Sequence, residues 1–109
     1  MDMNVVVLAG KLASDPEIQS FASGATLVRY LVTVRSESPA RRLDVLPVTL
    51  WGPDLEAVAQ QSSGTPVIVA GSVQRRFWQS TGAGRSRVEV VAHEVEIDDL
   101  SGAAVPATR

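Results

Sequence analysis

Hydrophobic and polar positions alternate along most of the chain with a period of two, which predicts strands rather than helices. The first apolar segment, NVVVLAGKL at residues 4–12, is an exception because it is hydrophobic at both odd and even positions. A strand of that kind is typically covered on both faces. We therefore expect residues 4–12 to face the core on one side and a second sheet layer or another subunit on the other.

Two further strands are predicted at residues 25–36 and 43–51, each with core-type residues on one face and a mixed set on the other. Pro47 removes a backbone donor, which predicts an edge or a bulge at that point of the third strand. The SDPE segment after the first strand is predicted to form a turn, in which Pro16 presets φ and Asp15 bonds to nearby backbone.

A short helix is predicted after the third strand. Pro53 suits a first helical turn, and Leu55, Val58 and Ala59 follow at helical spacing. The SSG segment at 62–64 is expected to end this helix.

The last two strands form a predicted hairpin. They cover residues 66–79 and 85–97 and are joined by a four-residue turn, TGAG, at 81–84. The complete order, β-β-β-α-β-β, predicts an all-β fold, namely a five-stranded OB-fold Greek-key barrel with one short helix between strands 3 and 4. Such barrels commonly bind oligonucleotides or oligosaccharides, although the fold alone does not fix a function.

Length and composition indicate one globular domain. The 109 residues suffice for a single core, and 45% of them are hydrophobic and 20% charged. We expect a folded domain over residues 1–100 and a short flexible tail over residues 101–109. The longest apolar run, at residues 5–10, is too short to span a bilayer, so we expect a cytoplasmic protein.

The net charge of −2 conceals an uneven distribution. Residues 21–93 carry eight arginines against five acids, whereas residues 1–20 and 94–109 each carry an excess of acids. A cationic surface is therefore compatible with the acidic total.

The predicted hairpin has two different faces. With a four-residue loop, Trp78 pairs with Arg87 and Arg76 pairs with Glu89. Alternation places one aromatic residue among arginines on the wet face, which comprises Arg76, Trp78, Ser80, Arg85 and Arg87. The opposite, inner face is mainly apolar and comprises Phe77, Val88, Val90 and Arg75.

A tryptophan beside guanidinium groups suits single-stranded nucleic acid. Bases stack on aromatic rings for about 1–3 kcal/mol each, and arginines neutralise the line of phosphates. Trp51, on the non-core face of the third strand, is a second candidate for stacking. The sequence thus offers two rings that core packing does not obviously require.

Packing offers an alternative explanation for these residues. Arginine stems can shield Trp78 on a barrel face, and Trp51 can pack beneath the following helix. Arg29 and Arg35 can equally face a neighbouring subunit or pair with acids. The sequence leaves these alternatives open.

The chain offers few groups for metal or acid–base chemistry. His93 is its one histidine, there is no cysteine, and no acidic cluster has ligand spacing. No Ser-His-Asp set, phosphate-binding loop or paired-carboxylate motif stands out either. We predict no cofactor, no metal and no enzymatic activity.

Several segments, taken in order, resemble the bacterial single-stranded DNA-binding protein family. They are VVLAGKLASDPEI (6–18), SG (23–24), VRSES (34–38), VTLWG (48–52), LEAVAQ (55–60) and VIVAGSVQRRFW (67–78). The first is the most specific, since an apolar strand is followed by Gly-x-Leu-x-x-Asp-Pro-Glu. The resemblance covers about residues 4–97.

This resemblance implies homo-oligomeric OB-fold subunits, a tetramer being favoured over a dimer. They would bind single-stranded DNA without strong sequence preference in replication, recombination and repair, at the nucleoid. It also implies that the first strand helps to pair subunits, that aromatic positions matching Trp51 and Trp78 stack on bases, and that basic residues of the hairpin contact phosphates. The candidate DNA-binding residues are Trp51, Trp78, Phe77, Arg35, Arg76, Arg85 and Arg87.

The chain also departs from the family pattern. Pro39 and Val45 stand where the family usually has additional tryptophans, which predicts reduced affinity for DNA. Beyond residue 100 there is neither a long linker nor an acidic tip ending in Pro-Phe, so tail-mediated recruitment of partners is not expected. A tailless chain with few aromatics also resembles primosomal replication protein N. The alternative is therefore an OB-fold interaction or primosome-type subunit with weak or no binding of single-stranded DNA.

Overall fold

The computed structural model describes residues 1–80 and 83–99, and the side chains of these residues except 78–80 and 83. The described chain forms six strands and one short helix. Their bounds are β1 Val6–Leu12, β2 Glu17–Ser20, β3 Thr26–Ser36, β4 Arg42–Trp51, α1 Leu55–Val58, β5 Pro66–Ser80 and β6 Ala83–Ile97.

Five of the strands close into a barrel. The sheet runs β1-β5-β6-β4-β3, and β3 returns to β1 where Lys11 and Leu12 pair with Thr33 and Val32. All pairings are antiparallel except that of β4 with β6, which is parallel over three residues. A closed five-stranded barrel with one short helix between β4 and β5 confirms the predicted OB-fold.

Strand β2 was not predicted, because residues 17–20 were assigned in part to a turn. It adds to β3 on the same side as β1, with Glu17 opposite Arg29 and Ser20 opposite Thr26. All four of its residues are exposed, so its sequence carries no alternation of buried and exposed positions. Backbone pairing with β3, rather than side-chain burial, defines this strand.

The hairpin of β5 and β6 has a shorter loop than expected, and the register of its two strands is shifted accordingly. Ser80 pairs with Ala83, so Ala83 and Gly84 belong to β6 and the predicted four-residue turn is wrong. Thr81 and Gly82, the remaining residues of that turn, lie outside the described residues. A register shift between Ala70 and Gly71 leaves His93 as the extra residue of a β-bulge.

The core lies on the inner faces of the strands, at the positions that the alternation predicts. Its largest fully buried side chains are those of Val28, Tyr30, Val32, Val48, Val67 and Val69. Helix α1 contributes Val58 to this core, and Asp54 caps the helix by accepting a hydrogen bond from the Glu56 amide. No helix within the described residues is long and apolar enough to cross a membrane.

Two glycines permit close approach of neighbouring strands. A Cβ on Gly10 would collide with the Thr33 carbonyl, at the point where β1 passes from β5 to β3. A Cβ on Gly71 would collide with the backbone of Val91, beside the bulge. These contacts are with backbone atoms, so they cannot be relieved by a side-chain rotation.

Asp15 has a different partner from the one predicted. Its carboxylate accepts a hydrogen bond of 2.8 Å from the amide of Ser63, in the connection between α1 and β5. The adjacent Gly64 amide donates to the Leu12 carbonyl at 2.8 Å. The loop after β1 is thereby fixed to a distant part of the chain rather than to its own turn.

The outer face of β1 is exposed in the single chain. Val7 and, just before the strand, Val5 are about two-thirds exposed, and Ile68 of the neighbouring strand β5 is also exposed beside Val7. The sequence predicted a covering layer for this side of the strand. Within the described part of the chain, nothing supplies one.

Tyr30 is the one tyrosine of the chain, and its hydroxyl donates to Gln61 Oε1 at 2.8 Å inside the barrel. Burial raises the pKa of Tyr30 to about 12. We expect the phenol to titrate near that pKa when folded and near its ordinary pKa of about 10 in concentrated urea.

Because the folded state holds the phenolic proton more tightly, its contribution to stability is complete below pH about 10 and lost as the pH rises through about 12. Phenolate absorbance, followed with and without urea, measures both titrations. Identical curves would show that this hydroxyl is open to water.

Candidate nucleic-acid interface

A groove of about 420 Å³ runs across the outer face of the barrel. Strands β3 and β4 line its middle, the turn before β2 lines one side, and the hairpin of β5 and β6 lines the other. Its charged residues are three arginines, Arg29, Arg76 and Arg87, and three acids, Asp15, Glu17 and Glu89. The groove can therefore offer cations to an anionic chain, but its own acids compete for them.

The predicted wet face of the hairpin has the right residues but the wrong pairs. Arg76 lies opposite Arg87, and Trp78 lies opposite Arg85. The pairing of Arg76 with Glu89 is wrong, since Gln74 lies opposite Glu89. The register differs from the prediction by two residues, and an even shift keeps each residue on its face.

Trp78 therefore keeps its predicted place on the strand, between Arg76 and the end of the hairpin. Its side chain lies outside the described residues. Arg85 and Arg87, across the ladder, are exposed. The backbone thus places Trp78 on the face that carries three arginines.

The other face of the hairpin is not the buried inner side that the sequence predicted. Phe77 is 72% exposed and Val88 is also exposed, whereas Val90 is buried. Only residues 90–92 of β6 pair with β4, so the hairpin extends beyond the closed part of the barrel. Phe77 is consequently available for contacts outside this chain.

Trp51, at the end of β4, presents a ring to solvent. It is 47% exposed and stacks on Phe21, with 5.6 Å between ring centroids and 25° between ring planes. About half of the Trp51 side chain is therefore open to solvent, and its ring contact is with Phe21. Leu27, directly opposite Trp51 on β3, is buried although it faces away from the barrel core.

Phe21 is a candidate functional residue that the sequence reasoning missed. It follows β2 directly, and its amide and carbonyl bond to the tight turn at residues 24 and 25. Recognition of β2 as a strand would have shown that its end adjoins the end of β4, through the pairing of both with β3. The two rings together make an aromatic platform of Trp51 and Phe21.

Arg35 lies on the outer face of β3, in line with Arg29 and Leu31, but it does not line the groove. It lines a separate depression at the connection between β3 and β4, together with Arg41 and Arg42. Arg41 pairs with Glu37 at 3.6 Å, and Arg42 pairs with Asp44 at 3.0 Å. These exposed pairs add little stability and leave the arginines accessible.

Among the described residues, no three histidine, aspartate or glutamate side chains gather closely enough to hold a metal ion. The chemistry on this face is instead that of exposed rings and guanidinium groups arranged along a sheet. Exposed rings and guanidinium groups on a closed OB-fold barrel are typical of oligonucleotide-binding proteins.

The sequence profile of the Single-strand binding protein family matches residues 3–98. The chain belongs to this family.

Individual relatives agree with this assignment. The chain is 31% identical over 111 residues to a protein named single-stranded DNA-binding protein from Treponema pallidum, covering 94% of this chain and 63% of the relative. It is also 31% identical over 114 residues to a protein of the same name from Thermosynechococcus vestitus, covering 98% and 95% of the two chains. A third, from Clostridium tetani, is 33% identical over 100 residues, covering 86% and 69%.

Proposed function

We propose that this protein binds single-stranded DNA with little sequence preference and protects it during replication, recombination and repair, acting by binding and not by catalysis. The observation that carries the proposal is the half-exposed Trp51 ring on the sheet face that also presents Arg29 and the groove. Membership of the Single-strand binding protein family and the names of the relatives support it.

In this proposal, aromatic rings bind the bases and arginine side chains bind the phosphates. A base can stack on the ring face of Trp51 that Phe21 leaves uncovered. The phosphates can follow the arginines of the groove and of the hairpin, among them Arg76, Arg85 and Arg87. Neither contact depends on the base edges that distinguish one sequence from another, which accounts for sequence tolerance.

The remaining candidate residues lie at the two ends of the proposed course of the DNA strand along the groove and the hairpin. Arg35 adds a cation beyond the groove, near the connection of β3 and β4. Trp78 and Phe77 lie on opposite faces of the protruding hairpin, so a strand that wraps the hairpin can use both. Binding to chromosomal single strands would place the protein at the nucleoid.

We also propose that the protein acts as a homo-oligomer, a tetramer being favoured. The support is the exposed apolar outer face of β1 with Ile68 beside it, a surface that a second copy of the same chain can cover. A primosome-type or protein-interaction subunit would use the same face without binding DNA. The titration below separates these two functions.

The test is a titration of the protein with oligo-dT at two salt concentrations, with mass measurement of the free protein and the complex. We expect quenching of tryptophan fluorescence, an affinity that falls as salt rises, and a mass that is a multiple of the single chain. Oligomers that show neither quenching nor a mobility shift at low salt would favour the interaction subunit.

A further inference from the structure

Glu89 is an acid at the floor of a groove that otherwise suits an anionic ligand. Its side chain is only 11% exposed and it points to the same face as Arg87. The hydroxyl of Thr49 donates to Glu89 Oε1 at 3.2 Å, and Arg76 Nη2 lies 3.4 Å from Glu89 Oε2. The carboxylate is thus held in one place by β4 and by β5.

Glu89 lies next to two arginines that face each other across the β5–β6 ladder. Arg76 and Arg87 lie directly opposite each other across the ladder, an arrangement that is unfavourable between two cations. Glu89 lies diagonally from Arg76 and supplies the countercharge. In the free protein, Arg76 is therefore already paired with an anion.

A phosphate that binds Arg76 must either displace this carboxylate or bind beside it. Both routes reduce the net attraction of Arg76 for the phosphate, because the guanidinium charge is shared with Glu89. Thr49 is 4% exposed and its hydroxyl bonds to Glu89 Oε1, so a rotation of the carboxylate into water would break this hydrogen bond.

We propose that Glu89 limits the affinity for single-stranded nucleic acid by competing with its phosphates for Arg76. This inference rests on the proposed function and goes beyond it, since it assigns an affinity-limiting role to an acid inside the interface. It also accounts for an acid in the groove that neither stacking nor phosphate binding requires.

The test is Glu89→Gln, compared with the parent by the anisotropy of a labelled oligo-dT over a series of salt concentrations. Glutamine keeps an acceptor for Thr49 and removes the charge. We expect about 3- to 10-fold tighter binding at low salt, the effect of one attraction between Arg76 and a phosphate that Glu89 no longer offsets in a solvated groove. We also expect the slope of log affinity against log salt to steepen by about 0.7, the value for one additional phosphate contact on a single strand.

Two further variants show whether the gain passes through Arg76. In an Arg76→Gln background, Glu89→Gln should gain little, and retention of the full gain would overturn the proposal. Glu94→Gln removes the same charge from β6 beyond the bulge, at a residue that does not line the groove, and should leave affinity unchanged. An equal gain in Glu94→Gln would assign the effect to net charge and also overturn it.

The outcomes distinguish this inference from the proposed function. If the parent binds and Glu89→Gln binds no more tightly, with an unaltered melting temperature, only the inference fails. If Glu89→Gln alone binds, the competition is stronger than expected and the inference stands. If neither protein binds oligo-dT at low salt, both the function and the inference are wrong.

Discussion

Replacing Trp51 with alanine is expected to weaken the binding of single-stranded DNA by about 1–3 kcal/mol, or roughly 5- to 150-fold. The ring is half exposed and one of its faces packs on Phe21, so it is presented to a base without reorganisation. Alanine removes the stacking surface, whereas Trp51→Phe retains a ring and should keep most of the affinity. Anisotropy of a labelled oligo-dT measures the change without relying on tryptophan emission.

Leu55→Ala provides the matched control. Leu55 is as exposed as Trp51 and also apolar, but it lies on α1 and offers no aromatic surface. The Leu55→Ala variant should bind oligo-dT with the same affinity as the parent. Equal affinities for Trp51→Ala and the parent would contradict the stacking role of Trp51.

Replacing Gly10 with alanine is expected to reduce the free energy of unfolding by about 3 kcal/mol or more, the upper end of the cost of overpacking. The added Cβ would meet the Thr33 carbonyl oxygen, a backbone atom of the strand that closes the barrel. Relief requires β1 and β3 to separate where their pairing completes the sheet. Urea unfolding of variant and parent at equal protein concentration measures the loss.

Gly84→Ala provides the control for this substitution. Gly84 also lies in a strand, and a Cβ there would meet nothing within 4 Å. Because glycine is entropically costly in a strand, alanine at this position should be neutral or stabilising by up to about 1 kcal/mol. Equal losses for Gly10→Ala and Gly84→Ala would show that contact with Thr33 is not the cause.

The family motif Gly-x-Leu-x-x-Asp-Pro-Glu now has a physical explanation. Gly10 permits the crossing of β1 and β3, Leu12 enters the core, and Asp15 binds the Ser63 amide. The sequence located the motif, but its reading of Asp15 as a local turn residue was wrong. A hydrogen bond between residues 48 positions apart leaves no local pattern to detect.

The errors at β2 and at the hairpin have a common cause. Alternation of apolar and polar residues arises where one face of a strand is buried. Strand β2 and the end of the hairpin are exposed on both faces, so their sequences do not reveal their position in the sheet. Phe21 was missed with β2, and Phe77 and Val88 were placed on an inner side that extends past the barrel. The faces of Arg76 and Trp78 were nevertheless correct, since the register error was an even number of residues.

The sequence by itself determined the all-β class, the order of the five barrel strands and the helix, the buried faces of those strands within the closed barrel and the family, because a period of two and an ordered set of motifs are local properties of the chain. Only the tertiary structure decided that Trp51 stacks on Phe21, that Asp15 holds Ser63, and that Glu89 is fixed beside Arg76 at the floor of the groove. Those relations join residues far apart in the chain, and closure of the barrel brings them together.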